Sequence, residues 1–196
     1  MSRGRLLIVV AGILVAFALI INFLNFHAAR STTETNHSLS VYRVGERLPD
    51  SMAPGFTLSF AVSGEEQLAS ALTDALQAEL EQLPNVGAVT AVSTFEQNQA
   101  APLLLVDLNT DRLWTPFYGR ATVQAQLFYA YDGDAPWPLD EAVVFEVSPA
   151  LKADGQFTTV DTTWGLISKP AYTDHLAQAL AQQIAAAMQD QVLAAP

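Results

Sequence analysis

The stretch Phe56–Leu83, FTLSFAVSGEEQLASALTDALQAELEQL, decides how this chain folds. Its first seven residues alternate apolar with small polar side chains, the period of a strand with one buried face. The period changes at Ser63. Ser63 and Glu66 have the spacing of a capping box, in which two side chains satisfy free amides at the start of a helix. Leu68, Leu72, Ala75, Leu76, Leu80 and Leu83 then fall on one helical face, while Glu65, Glu66, Asp74, Glu79 and Glu81 point outward. Pro84-Asn85 stops the helix.

Downstream, the period of two returns. Ala88–Phe95 and Leu103–Leu108 read as strands, and a longer one spans Tyr118 to Tyr131. In that segment Ala121, Val123, Ala125, Leu127, Tyr129 and Tyr131 share one face, and Thr122, Gln124, Gln126 and Phe128 share the other. A strand with one wet side is typical of an antiparallel sheet. Asp132-Gly133-Asp134 and Pro136-Trp137-Pro138 form a loop, followed by strands at Val143–Val147 and Phe157–Ile167, with a turn at Ala153-Asp154-Gly155. Pro170 opens a last helix to about Val192, with Tyr172, Leu176, Ala179, Leu180, Ile184, Ala187 and Met188 on its buried face. Residues 56–196 are thus expected to form an α+β domain of order β-α-β(n)-α, an antiparallel sheet with two helices packed on one face. This order of elements is similar to that of small bacterial envelope domains of the LPS-assembly and transport-auxiliary lipoprotein kind. The likeness rests on topology and on no motif, and the lipidated cysteine of those families is missing.

Upstream, residues 28–55 are small and polar and read as a tether, punctuated by Pro49, Pro54 and Gly55. Before them Leu6–Ile21, LLIVVAGILVAFALII, has no polar side chain, and the apolar stretch continues to about Phe26. About 20 residues make ~30 Å of helix, enough for a bilayer core. Arg3 and Arg5 precede it, so residues 1–27 read as an uncleaved signal-anchor with a cytoplasmic N-terminus and an extracytoplasmic domain. A cleaved signal peptide is the rival, but cleavage after Ala29 would put His27 at the −3 position. Gly12 and Ala16 form a small-xxx-small pair for helix packing, and Asn22 is a polar residue near the outer end.

Composition narrows the function. The chain has 196 residues, a net charge of −11 and no cysteine. Disulfides, thiolate metal sites and a cysteine nucleophile are excluded. From Ser31 onward six Lys/Arg face all 20 Asp/Glu, a balance of −14 that disfavours nucleic acid as a partner. Asn36-His37-Ser38 is an N-glycosylation sequon, relevant only in a eukaryotic secretory path.

Chemistry-bearing motifs are sparse. His27, His37 and His175 are too scattered to outline a metal site, and Asp174-His175 are neighbours pointing about 100° apart on a helix. Asp107-Leu108-Asn109-Thr110-Asp111 starts like a calcium loop, but Arg112 and Tyr118 stand where Gly and Glu are needed. Asp132, Asp134, Asp140 and Glu141 read as a solvated acidic loop. No nucleophile elbow, phosphate loop, zinc motif or dinucleotide fingerprint occurs, so no catalytic, cofactor or metal residues are expected and no small-molecule substrate is inferred. The aromatic residues Trp114, Phe117, Tyr118 and Trp137 are the candidates for partner binding. The expectation is a non-catalytic accessory or scaffolding subunit of a bacterial membrane complex, contacting other subunits through its helix and outer domain. The alternative is an envelope domain that holds a lipid or other apolar ligand between sheet and helices.

Overall fold

The computed structural model describes residues 3–23, 25–42, 55–92, 102–130 and 152–193. Trp137, Tyr131, Val143–Val147 and the Asp132–Glu141 loop lie outside the described residues. Six strands form one sheet: β1 (His27–Tyr42), β2 (Phe56–Ser63), β3 (Val86–Ala91), β4 (Leu103–Thr115), β5 (Tyr118–Ala130) and β6 (Lys152–Ile167). Their spatial order is β1-β6-β5-β4-β2-β3. Helix α1 (Arg3–Phe23) precedes the sheet, α2 (Glu66–Leu80) connects β2 to β3, and α3 (Lys169–Ala187) follows β6 and ends in a π turn, Met188–Val192.

The core lies between the sheet and helices α2 and α3. Leu68, Leu72, Leu76 and Leu80 of α2 are fully buried, as are Tyr172 and Ile184 of α3. They meet Leu58 and Phe60 of β2, Leu104 and Val106 of β4, and Ala121, Val123, Ala125 and Leu127 of β5. Every apolar position expected on the α2 face is buried or partly buried. The cap is different. Glu65 is the N-cap and makes no side-chain capping bond, while the Ser63 hydroxyl donates to Asp107 on the adjacent β4. Gly64 makes the turn into α2 at φ +128°, and a Cβ there would stand 2.6 Å from Leu108 Cβ, so only glycine fits. A second, smaller apolar cluster, including Leu103, Leu105 and Phe128, is buried on the opposite face at one end of the sheet. That explains why Phe128 departs from its wet neighbours Gln124 and Gln126.

Three expectations are corrected. The sheet is mixed, because β2 runs parallel to both β3 and β4. The helix α2 carries the chain back across the sheet so that β3 starts where β2 started, a crossover that makes the pair parallel. The supposed tether contains β1, a 16-residue strand paired antiparallel to β6 along its whole length. Ala29, Leu39 and Val41 pack against the core from its two ends, but the middle inward positions are Ser31, Thr33 and Thr35, so the segment reads as polar linker; the β-branched threonines suit a strand nonetheless. Finally, among the described residues no helix is long and apolar enough to cross a membrane. The transmembrane signal-anchor expected over residues 1–27 is therefore not supported.

Gly119 on β5 lies directly beneath the Tyr172 ring, where a Cβ would come within 2.7 Å of Cζ. Gly119→Ala should therefore cost about 1–3 kcal/mol by overpacking α3 against the sheet, measured by urea unfolding of the full chain.

Candidate functional site

β6 carries an inverted pattern. Phe157 and Ile167 both face the helices and are fully buried. Side chains alternate along a strand, so the odd residues between them must also face inward. Thr159, Asp161 and Thr163 are thereby fully buried, whereas Val160 and Trp164 face the open side, Trp164 at 64% exposure.

The buried polar row is closed by partners on β1 and α3. Cross-strand pairs set Ser31 opposite Thr163, Thr33 opposite Asp161 and Thr35 opposite Thr159. Their hydroxyls meet: Ser31 and Thr163 at 2.7 Å, Thr35 and Thr159 at 3.0 Å. Asp161 accepts from Thr33 Oγ1 at 2.6 Å, from Thr163 Oγ1 at 2.8 Å, and pairs with His175 Nε2 at 3.1 Å. Burial pushes the carboxyl pKa up, but the hydrogen bonds from His175, Thr33 and Thr163 outweigh it, so Asp161 stays below the ordinary value. Tyr172 packs beside it with a buried hydroxyl that has no partner at hydrogen-bonding geometry among the described residues. Burial, then the negative charge of Asp161, raises the Tyr172 pKa and keeps the phenol protonated.

The start of α3 is fastened to the same corner. Ser168 caps the helix, its Oγ accepting from Ala171 N at 3.2 Å and from Phe26 N at 3.1 Å. Pro170 sits in the first turn as expected. Arg112 Nη1 donates to Thr173 Oγ1 at 2.9 Å and pairs with Glu65, joining β4 to both helices. A cleft of about 690 Å³ opens beside this corner, lined by Glu66, Gln67, Ser70, Lys169, Pro170, Thr173 and Asp174. Charged and polar residues line it, with Pro170 among them.

On the open side, β4 and β5 join through Pro116 and Phe117, with Thr115 Oγ1 accepting from Tyr118 N at 3.0 Å. Phe117 is 60% exposed and Leu113 58%. Tyr118 and Trp164 face each other across the β5–β6 pair with ring centroids 4.4 Å apart. Arg30 of β1 is opposite Trp164, and Arg120 is opposite both Thr162 and Leu113. Both arginines are exposed. The acids begin in a further row, with Glu34 and Asp111 flanking Val160 and Thr122. The end of the open face is therefore an aromatic patch flanked by two cations on a chain of net charge −11.

Of the residues expected from sequence, Phe117 and Tyr118 belong to this patch. Trp114 packs against the main core instead. Gly12 and Ala16 lie on the exposed helix α1, where a Cβ on Gly12 would meet nothing within 4 Å; Asn22 lies in the same helix. His175, not expected to pair with its neighbour Asp174, is joined to Asp161 instead, and its ring is 5.6 Å from that of His27. His37 stacks on Phe157 at 5.1 Å. Asp107, Asn109 and Asp111 are strung along extended β4 rather than wrapped around a centre, and no cluster suited to a metal occurs among the described residues. Trp164 and Asp161 were missed. Counting in twos from Phe157 and Ile167 is the signal that finds both.

No protein-family model matches the chain, and neither does any curated protein. Among solved structures it is similar to the PelC dodecamer from Paraburkholderia phytofirmans, at 12% identity over 82% of this chain and 96% of that one, with a TM-score of 0.41. A point variant of the same dodecamer aligns at 11% identity over 80% of this chain and 99% of that one, also at 0.41. Likeness at that level bears on neither the site nor its function.

Asp161→Asn should destabilise the domain by about 1–3 kcal/mol, since charge-assisted bonds are lost in a buried place. Because the Asp161 pKa is depressed on folding, its contribution is complete above the ordinary value of 3.8 and is lost as pH falls below it through the folded value. The wild type should consequently lose stability more steeply than Asp161→Asn below about pH 4 in acid unfolding. Tyr172→Phe should be neutral or slightly stabilising, within about 1 kcal/mol, because it removes an unpaired hydroxyl and keeps the ring over Gly119.

Proposed function

We propose that this chain is a non-catalytic docking domain, an accessory subunit that binds an acidic segment of a partner protein. The observation that carries the reading is the exposed Trp164, which is paired with Tyr118 and flanked by Arg30 and Arg120. Strand parity holds this tryptophan out of the core, so its apolar area is available only to something else. Tryptophan, tyrosine and arginine are the residues that most often dominate binding interfaces. The two arginines favour a partner of opposite charge and speed its approach.

The buried polar row supports the non-catalytic part. Asp161 is held by three donors and is wholly enclosed, so no substrate reaches it. The reading that the domain holds an apolar ligand between sheet and helices is not favoured, because buried side chains such as Leu58, Leu72, Leu104 and Tyr172 pack together there.

The test is position-specific crosslinking in the native host, with a photoreactive amino acid placed at Trp164 or, on the same face farther along, at Gln156. One dominant protein adduct from position 164 is expected, absent from 156, and reduced about tenfold or more by Arg30→Glu with Arg120→Glu. Equal labelling from both positions, or an adduct indifferent to the charge reversal, rejects the proposal.

A further inference from the structure

Among the described strands the sheet ends in two outer edges, and they run in opposite directions. β1 is antiparallel to β6, β6 to β5, and β5 to β4, whereas β4, β2 and β3 are parallel to one another. β1 and β3 therefore point opposite ways, and among the described residues neither has a second neighbouring strand. Proteins usually blunt such edges with charges, proline or bulges, because a bare edge is a template for another strand. β3, VGAVTA, has no charge and no proline. β1 is 16 residues long and carries only Arg30 and Glu34 as formal charges. We propose that copies of this chain associate head to tail, β3 of one pairing antiparallel with β1 of the next, and that the series closes into a ring.

Closure and register select this arrangement over two-fold pairing of β1 with β1. Among the described strands, two-fold pairing leaves β3 without a second neighbour in both copies, whereas head-to-tail pairing gives β1 and β3 of every copy one, and a closed ring extends this to all copies. A two-fold axis through Thr32 would set Arg30 opposite the second copy's Glu34, a favourable charge pair. In that register Ser38–Tyr42 of the second copy run past His27 into the place where α1 leaves the strand. Sliding the pair until His27 opposes Tyr42 frees α1 and breaks the charge pairing. The six-residue β3 fits along β1 without reaching α1 at all. Because each strand keeps its direction from copy to copy, all α1 helices leave from one end of the ring.

The absence of cysteine makes the test clean. Thr90 on β3 and Asn36 on β1 are exposed. The full chain, kept in a mild detergent because α1 exposes apolar side chains, is treated with a short bis-maleimide. Thr90→Cys and Asn36→Cys in one chain should give a ladder of crosslinked species, and the two single variants should crosslink only when mixed. Mass photometry of the uncrosslinked wild type should show one discrete oligomer. Dimers from Asn36→Cys alone would establish two-fold pairing and overturn the proposal. A monomeric mass with no crosslinks overturns it too, and a continuous distribution of masses overturns ring closure.

Discussion

A strand has only two faces, so once Phe157 and Ile167 are committed to the helix side, the fate of every residue between them is settled. Three polar side chains go inside and a tryptophan goes outside. A slip of one residue would bury Trp164 and Val160, but it would also expel Phe157 and Ile167 and point Asp161 at solvent. The observed register is held at both ends by apolar burial and in the middle by the bonds of Asp161 to Thr33, Thr163 and His175. Through those bonds β1 and α3 take their places on β6. The edge of the sheet and the seat of the last helix share one buried carboxylate.

That arrangement gives up stability. An enclosed carboxylate loses hydration, and a polar group buried without partners would cost several kcal/mol. Here the hydroxyls of β1 and the imidazole of α3 supply those partners, which is why Asp161 remains ionised. A large aromatic left in water forgoes a further gain of order 2 kcal/mol. Segments that break the ordinary pattern while the rest of a domain obeys it are where functional sites concentrate. The surrounding elements obey it closely: four leucines of α2 are buried in a single stripe, and β5 alternates cleanly through Ala121, Val123, Ala125 and Leu127.

How much was legible in the sequence follows from the same contrast. The β2–α2 unit, β5 and α3 were readable because their apolar periods match their structures. β1 was not, since three successive inward positions are Ser31, Thr33 and Thr35 and its partner β6 is more than a hundred residues away. The parallel pairing of β2 with β3 and β4 was hidden because each strand alone has the same period in either kind of sheet. Leu6–Ile21 reads as apolar at every position, yet no described helix meets the length and apolarity of a membrane span. Phe117 and Tyr118 were legible as an aromatic cluster at a turn. Trp164 lay in a strand that looked ordinary, and the link between Asp161 and His175 needed the packing of α3 to bring them together.

The pairing of β1 with β6 also imposes an order of events in time. During synthesis His27 is made long before its partner Ile167. At roughly 5–20 residues per second, β1 waits on the order of 10 seconds before the strand that completes it appears. Within that interval β2, α2 and β3 can already pair and pack with one another, while the 16 residues of β1 still lack the strand they pair with. Its serine- and threonine-rich composition is what makes the wait safe. A strand of valine and isoleucine in the same position would be an aggregation seed, whereas this one stays hydrated until the last third of the chain arrives.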